Sequence, residues 1–277
     1  MNKFTKAIAA IMLIVAAIIV TGCNKPDEPN NGGNNNGQND SIVNPNDNGG
    51  NNNGQNDSIV DHSGTLNGHD YVDLGLPSGT LWATCNVGAE TPEGYGDYFA
   101  WGETEPKENY DWITYKYCNG DFDQLTKYCQ DATYGYDGYT DDLYRLLPMD
   151  DAATANWGEG WRMPTAGQGD ELLSVCSHQR ETVNGVKGWR IIGTNGNSIF
   201  LPAGGAKGEF IGPSPESLQV GGDGFFWVND RFYAFNHYMM GDYDHLANFI
   251  ALPVAYSTGG WTQRMIGMSV RPVRSAE

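Results

Sequence analysis

Positive charge is scarce in this chain. Sixteen Lys and Arg stand against 34 Asp and Glu in 277 residues, giving a formal net charge of −18 and an isoelectric point near 4.4. That balance repels phosphate backbones and anionic lipid headgroups, so nucleic acid and acidic membrane surfaces are excluded as ligands. Long apolar runs are scarce as well: the longest covers residues 7–20, 14 positions, too short for a comfortable membrane span. The short signatures of common catalytic chemistry are missing, with no Gly-X-Ser-X-Gly elbow, Walker loop, dinucleotide fingerprint or His-Glu-X-X-His. Acid pairs such as Asp141-Asp142 and Asp150-Asp151 are what 34 acids produce unaided, so glycoside hydrolysis rests on no specific signal. No enzymatic activity is expected.

The averages conceal three compositions. Residues 1–22 carry Lys3 and Lys6, then the apolar run, and no acid, which is the pattern of a secretory signal. The run ends in Val20-Thr-Gly-Cys23, similar to the box at which bacterial lipoproteins are cut and acylated, so Cys23 is the expected lipidated N-terminus and the outer membrane the expected location. An ordinary signal peptide with a chance cysteine is the alternative. Removing the segment takes two bases and no acid, moving the charge from −18 to −20. The acids of Lys25-Pro-Asp-Glu28, just beyond, resemble a surface-export signal and point to the outer face of the cell.

Residues 24–62 contain no Phe, Trp or Tyr, and 20 of these 39 positions are Asn or Gly. Such a stretch cannot bury enough apolar surface to offset its ordering entropy. The segment 32–43 recurs unchanged at 49–60, and two copies of an Asn-rich repeat make a tether, not a solenoid. The expected organisation is a signal over 1–22, a disordered tether over 23–62 and one folded domain over 63–277.

All 8 Trp and 15 Tyr, and nine of the 10 Phe, lie in that last segment. Short apolar runs punctuated by Gly, Pro and Asn predict strands at 71–76, 80–85, 189–192, 198–201, 225–227, 249–252 and 268–273. Two stretches predict helices: 150–156, opened by a capping Asp, and the run after Thr165, where Gln168 completes a capping box. Many short strands with two short helices mean an α+β domain.

Six blocks then carry a resemblance. Tyr71-Val-Asp-Leu-Gly-Leu-Pro-Ser-Gly-Thr-Leu-Trp-Ala-Thr-Cys-Asn-Val-Gly-Ala89, Gly96-Asp-Tyr-Phe-Ala-Trp-Gly-Glu-Thr104, Ala152-Ala-Thr-Ala-Asn-Trp-Gly158, Gly160-Trp-Arg-Met-Pro-Thr165, Ser198-Ile-Phe-Leu-Pro-Ala203 and Gly267-Met-Ser-Val-Arg-Pro-Val-Arg274 together resemble the Fibrobacter succinogenes major paralogous domain, in order, from about residue 69 to 274. The resemblance implies a C-type-lectin-like α+β fold of short, mostly antiparallel strands on secreted or lipid-anchored proteins. It also implies kinship with the variable proteins of diversity-generating retroelements, whose C-terminal section is rewritten to change specificity. The related formylglycine-generating enzymes use reactive cysteines near their C-termini, and no cysteine follows Cys176 here, so that activity does not carry over.

The chain departs from the family pattern at Phe226-Trp-Val-Asn-Asp-Arg231, where members show Tyr-Trp-Ser-Ser, and at Trp261-Thr-Gln-Arg-Met-Ile-Gly267. Framework words persist while the words between them change, as in a binding face on a fixed scaffold. Phe225, Phe226, Phe232, Tyr233, Phe235, Tyr238 and Tyr243 offer stiff contact area, and Asn229, Asp230, Arg231, Asn236 and His237 offer directional polar groups, a composition resembling a paratope. Alternate strand residues turn inward, and Trp227, which matches the fixed Trp of the family framework, is implied by the resemblance to lie in the core. The expected ligand contacts are Val228, Asn229, Asp230, Arg231, Tyr233, Asn236, His237, Tyr238, Asn248, Ala251, Trp261, Met265 and Ile266, and the expected partner is a protein or a glycan. A structural or adhesin role in an envelope or fimbrial assembly is the alternative, with a polysaccharide hydrolase more distant.

No cofactor is expected. Asn229-Asp230 after a Trp resembles the calcium ligands of sugar-binding lectins, but Val228 breaks the spacing and Glu28-Pro-Asn30 lies in the tether. His237, Asp242, Asp244 and His245 are a ligand set that suits zinc, with a solvated loop as the preferred reading. Residues 137–142 read as a turn in place of a calcium loop. Cys85, Cys118, Cys129 and Cys176 permit three disulfide pairings, of which Cys118 with Cys129 and Cys85 with Cys176 is the expected one.

Overall fold

The computed structural model describes residues 62–208, 224–236, 239–252 and 260–276, with the side chains of 231–242 left aside. The chain divides into Met1–Gln55 and Asn56–Glu277, and all described residues fall in the second unit. The expected signal, Cys23 and the tether as far as residue 61 lie outside the described residues, and the tether's last residue, His62, donates its N–H to Asp73 Oδ2 at 3.2 Å. Among the described residues no helix is long and apolar enough to cross a membrane.

Chain reversals set the strand pairing. β1 (Gly64–Leu66) and β2 (His69–Asp73) are joined by Asn67-Gly68, with φ of 51° and 82°. Consecutive positive φ angles make the two-residue turn whose twist matches paired strands, which is why Asn-Gly stands there. β3 (Thr80–Ala83) follows a turn closed by Gly79 N–H donating to Leu76 O at 2.9 Å. β10 (Val273–Ser275) returns to pair with β3, so one antiparallel sheet, β1-β2-β3-β10, ties the beginning of the domain to its end. A second sheet orders β4 (Ser177–Val183), β5 (Val186–Ile192) and β6 (Ser198–Pro202), with Asn184-Gly185 at the first reversal again in positive φ, 49° and 84°. The third contains β7 (Gly224–Asn236), β8 (Met239–Leu252) and β9 (Gly260–Gln263). All named pairings are antiparallel, and with two short α-helices among the described residues the architecture is mostly antiparallel β-sheet with a small helical part, consistent with α+β.

Both helices begin where local chemistry dictates. Asp151 caps α1 (Ala152–Trp157), accepting from Ala153 N at 2.9 Å and Thr154 N at 3.0 Å. Thr165 caps α2 (Ala166–Val175) in a reciprocal box: Gln168 N donates to Thr165 Oγ1 at 3.2 Å and Thr165 N to Gln168 Oε1 at 3.0 Å. The expected strand at 268–273 is mostly single bridges, Phe99 with Met268 and Phe226 with Ser269, before β10 begins at Val273.

The third sheet is covered on both faces. Phe225 and Trp227 enter one apolar cluster with Trp101, Tyr128, Trp161 and Ile266, while Phe226 and Val228 enter another with Leu74, Trp82, Ile191 and Val273. Successive residues point to opposite faces, so both are committed to packing through residue 228. Close packing extends to the backbone: Gly96, at φ +69°, would place a β-carbon 2.3 Å from Val87 O, so only glycine fits.

The expected pairs Cys118 with Cys129 and Cys85 with Cys176 are not formed in the structure. The Cys118 thiol donates to Trp112 O at 2.9 Å and that of Cys129 to Asp131 O at 3.3 Å, so the two sulfurs serve different turns. Cys85 packs against the first apolar cluster and Cys176 belongs to the second.

Candidate functional site

The hairpin of β7 and β8 continues past its pairing with β9 as a two-stranded arm. β9 pairs with β8 only from Leu246 to Phe249, whereas β7 and β8 stay paired on to Tyr233 with Asp242, Phe235 with Met240 and Asn236 with Met239. Register shifts on both sides of Arg231 mark a bulge in the β7–β8 ladder, and a bulge bends the strand and increases its twist.

Two carboxylates, one from each strand, fix the arm's root. Asp230 accepts from Arg145 Nε at 2.5 Å and from Ala166 N at 2.6 Å, the latter in the first turn of α2, where the helix dipole favours negative charge. Asp244, fully buried, accepts from Gln130 N at 2.6 Å and Asp131 N at 2.7 Å. Arg264 adds a third tie: its guanidinium donates to Tyr128 O at 2.8 Å and stands 4.7 Å over the Trp101 ring, while its N–H donates to His245 O.

These ties bring residues 117–149 against the root. His245 lies 4.9 Å from the Tyr134 ring and 5.4 Å from that of Phe122. Burial, helped by the Arg264 charge, drops the imidazole's pKa to about 4. A base depressed in the folded state binds fewer protons than in the unfolded chain between about 4 and its ordinary 6.5, so stability is lost as the pH falls through that window. The His245 Cε1 proton is therefore expected to keep its neutral NMR shift from neutrality down to about pH 5 and to titrate below it. Titration near the ordinary value would overturn this packing.

Phe122, Tyr136, Tyr139 and Tyr144 in the same segment are exposed, Tyr144 by 56%. Asp141 holds their turn, accepting from Tyr128 N at 2.6 Å, Cys129 N at 3.1 Å, Leu143 N at 3.1 Å and the Tyr139 hydroxyl at 3.1 Å. In the sequence, residues 137–142 read only as a turn, and the tyrosines around it carry no motif of their own. The available signal was their alternation with Asp and Gly, the same composition that singled out 225–245.

The expected contact residues divide accordingly. Val228, Asn229, Ala251, Met265 and Ile266 are buried, because the third sheet is packed on both faces and the 265–268 segment lies under Tyr110 and Phe99. Side chains withdrawn from solvent offer nothing to an incoming ligand, so these five are corrected to core positions. Asp230 is a structural tie at the root. Asn248 and Trp261 face each other across β8 and β9 and are both half-buried, a small open pair on the sheet. Arg231, Tyr233 and Asn236 lie on the arm by register, with side chains outside the described residues, and His237 and Tyr238 lie outside them altogether.

The zinc-like quartet is not assembled by what is described: adjacent strand residues Asp244 and His245 point to opposite faces, and the carboxylate already accepts two amides. The side chain of Asp242, like His237, lies outside the described residues. No family model, no curated protein and no solved structure matches this chain.

Proposed function

We propose that this is a surface-anchored lipoprotein, held by Cys23, whose C-type-lectin-like domain binds a protein or glycan ligand through the β7–β8 arm and the tyrosines of 134–144. The observation that supports this reading most is along one hairpin: both strands are locked in the core through Val228 and from Leu246 onward, and two carboxylates clamp the root of the paired stretch between. A rigid base under an aromatic-rich stretch limits the ordering cost that binding must overcome. The framework words are buried, including Trp82, Trp101, Trp161, Phe200 and Val270, and of the two departures from the pattern the chain resembles, 226–231 and 261–267, residues 226–229 and 264–266 are buried as well.

The test is capture on glycan and protein arrays by the intact protein and by Tyr136→Ala/Tyr139→Ala/Tyr144→Ala. The expected result is a specific ligand whose affinity falls roughly a hundredfold in the triple variant, as loss of aromatic anchors does, with an unchanged circular dichroism spectrum. Undiminished capture by that variant would move the site elsewhere, and turnover of an arrayed polysaccharide would replace binding with catalysis.

A further inference from the structure

A cleft of about 340 Å³ opens between β2, the end of α1 and the loop after β3, with His69, Gly88, Glu90, Asp97, Asn156 and Trp157 in its lining. One wall is a ring stack: the His69 and Trp157 centroids lie 3.7 Å apart, with planes 4° from parallel. Trp157 is 7% exposed and His69 half-buried, so the imidazole is the ring that this stack turns to solvent. Burial lowers the His69 pKa against the pull of the Asp70 carboxylate, so at neutral pH the ring is uncharged, with one nitrogen to donate and one to accept. The Trp157 indole N–H donates to no acceptor among the described residues and is not sealed from solvent, so on a side chain more than nine-tenths buried it opens on the cleft it lines. Buried indoles ordinarily find a partner, and here the partner has to come from outside the protein.

The rest of the lining accepts. Asp97 and Glu90, both exposed, pair with no base and accept no side-chain hydrogen bond among the described residues. Asp97 is nonetheless fixed in place: its N–H donates to Val87 O at 2.9 Å, and its carboxylate fits against Gly88, where a β-carbon would lie 2.3 Å from Oδ2. Gly88 has φ of +79°, so glycine suits both the backbone and the close approach. Asn156 uses its amide hydrogens inside the protein, on Ala152 O at 2.8 Å and Thr104 O at 3.0 Å, which fixes its plane and leaves Oδ1 to accept. Three side chains that accept, beside an indole that only donates, are matched by a group able to do both. On an uncharged ligand that group is the hydroxyl. A ligand carboxylate would instead face two carboxylates and be repelled.

We propose that this cleft is a second, independent ligand site that takes one neutral sugar ring, its C–H face against His69, its hydroxyls donating to Asp97, Glu90 and Asn156 Oδ1, and one of its oxygens accepting from the Trp157 N–H. The volume is at the lower end of small-ligand sites, large enough for one ring and too small for a long chain. All these contacts are hydrogen bonds and ring packing by the protein's own groups, so binding is expected to persist in a chelator.

The experiment is an NMR titration of the intact, nitrogen-15-labelled protein in EDTA with glucose, galactose and N-acetylglucosamine, and with glucuronate as the acidic control. At least one neutral sugar is expected to shift the Trp157 indole N–H cross-peak and the His69 Cε1 proton together and saturably, with glucuronate roughly tenfold weaker or absent. Trp157→Phe identifies the cross-peak by its loss and keeps the ring stack. Asp97→Ala, at an exposed position, is expected to weaken binding roughly tenfold, and Asp97→Ala/Glu90→Ala to abolish it. Tyr136→Ala/Tyr139→Ala/Tyr144→Ala should leave this binding intact, which separates the cleft from the arm. Failure of all three neutral sugars to move the Trp157 cross-peak, glucuronate binding as tightly as they do, or undiminished binding by Asp97→Ala would overturn the proposal.

Discussion

Arg271→Leu is expected to cost about 4 kcal/mol of stability, most of the margin of a domain at the low end of ordinary stability. Arg271 is fully buried, and its guanidinium donates to Asn86 Oδ1 at 2.7 Å, Ala83 O at 3.0 Å, Thr84 O at 2.7 Å and Phe200 O at 3.0 Å. One side chain therefore joins the end of β3, the loop after it and a strand of the second sheet. Burial lowers its pKa to about 9, which still leaves it charged at neutral pH. Leucine removes the charge but strands buried acceptors, and an orphaned buried acceptor costs more than the bond it lost was worth. Arg271→Lys tests the geometry: one ammonium has three donors on a flexible stem and cannot reproduce the fork, so only partial recovery is expected. Urea unfolding followed by tryptophan fluorescence reads both variants, and a leucine variant within about 0.5 kcal/mol of wild type would show that these bonds are dispensable.

The same arginine shows where sequence reading stops. Residues 268–273 have a strand's composition, yet Pro272 cannot donate and Arg271 reaches sideways to other segments, so the stretch touches one neighbour after another and pairs regularly only from Val273. Helix starts were legible because a cap is settled within four residues: Thr165 and Gln168 satisfy each other whatever packs around them. β4 was missed because Ser-His-Gln-Arg-Glu-Thr-Val is polar throughout, as befits an edge strand, and only Asn184-Gly185 announced its hairpin. At the candidate site, composition pointed to 225–245, and the family resemblance put Trp227 in the core, where it lies. Composition did not disclose that both faces of the sheet are covered, which takes Val228 and Ala251 inside. Nor could it place Tyr134 and its neighbours there, since the bonds that do so, from Gln130 and Asp131 to Asp244, span more than a hundred residues.

Asp151→Ala is expected to cost about 3 kcal/mol, one part from the lost cap of α1 and the rest from the orphaned amide of Met163, which donates to both carboxylate oxygens at 3.1 and 2.9 Å. Its neighbour Asp150 accepts from the hydroxyls of Tyr117 and Tyr128 and from Lys127 Nζ. These adjacent buried acids respond to pH with opposite signs. At Asp151, burial dominates and raises the carboxyl above its ordinary value against the pull of the amides of Thr154, Met163 and Ala153. The folded state then holds the proton more tightly, so stability rises as the pH falls through that raised window, and the deficit of Asp151→Ala should grow with it. At Asp150, burial also pushes upward, but the bonds from Lys127, Tyr117 and Tyr128 outweigh it and the carboxyl is lowered. Its stabilisation is present above the ordinary carboxylate value and disappears as the pH falls through the lowered one, so the deficit of Asp150→Asn should shrink in acid. Unfolding free energies of both variants and wild type, measured from neutrality to about pH 3, should therefore give two difference curves that slope in opposite directions. Parallel curves would mean that the lysine and tyrosines do not hold Asp150 ionised, and that the two carboxylates share one environment.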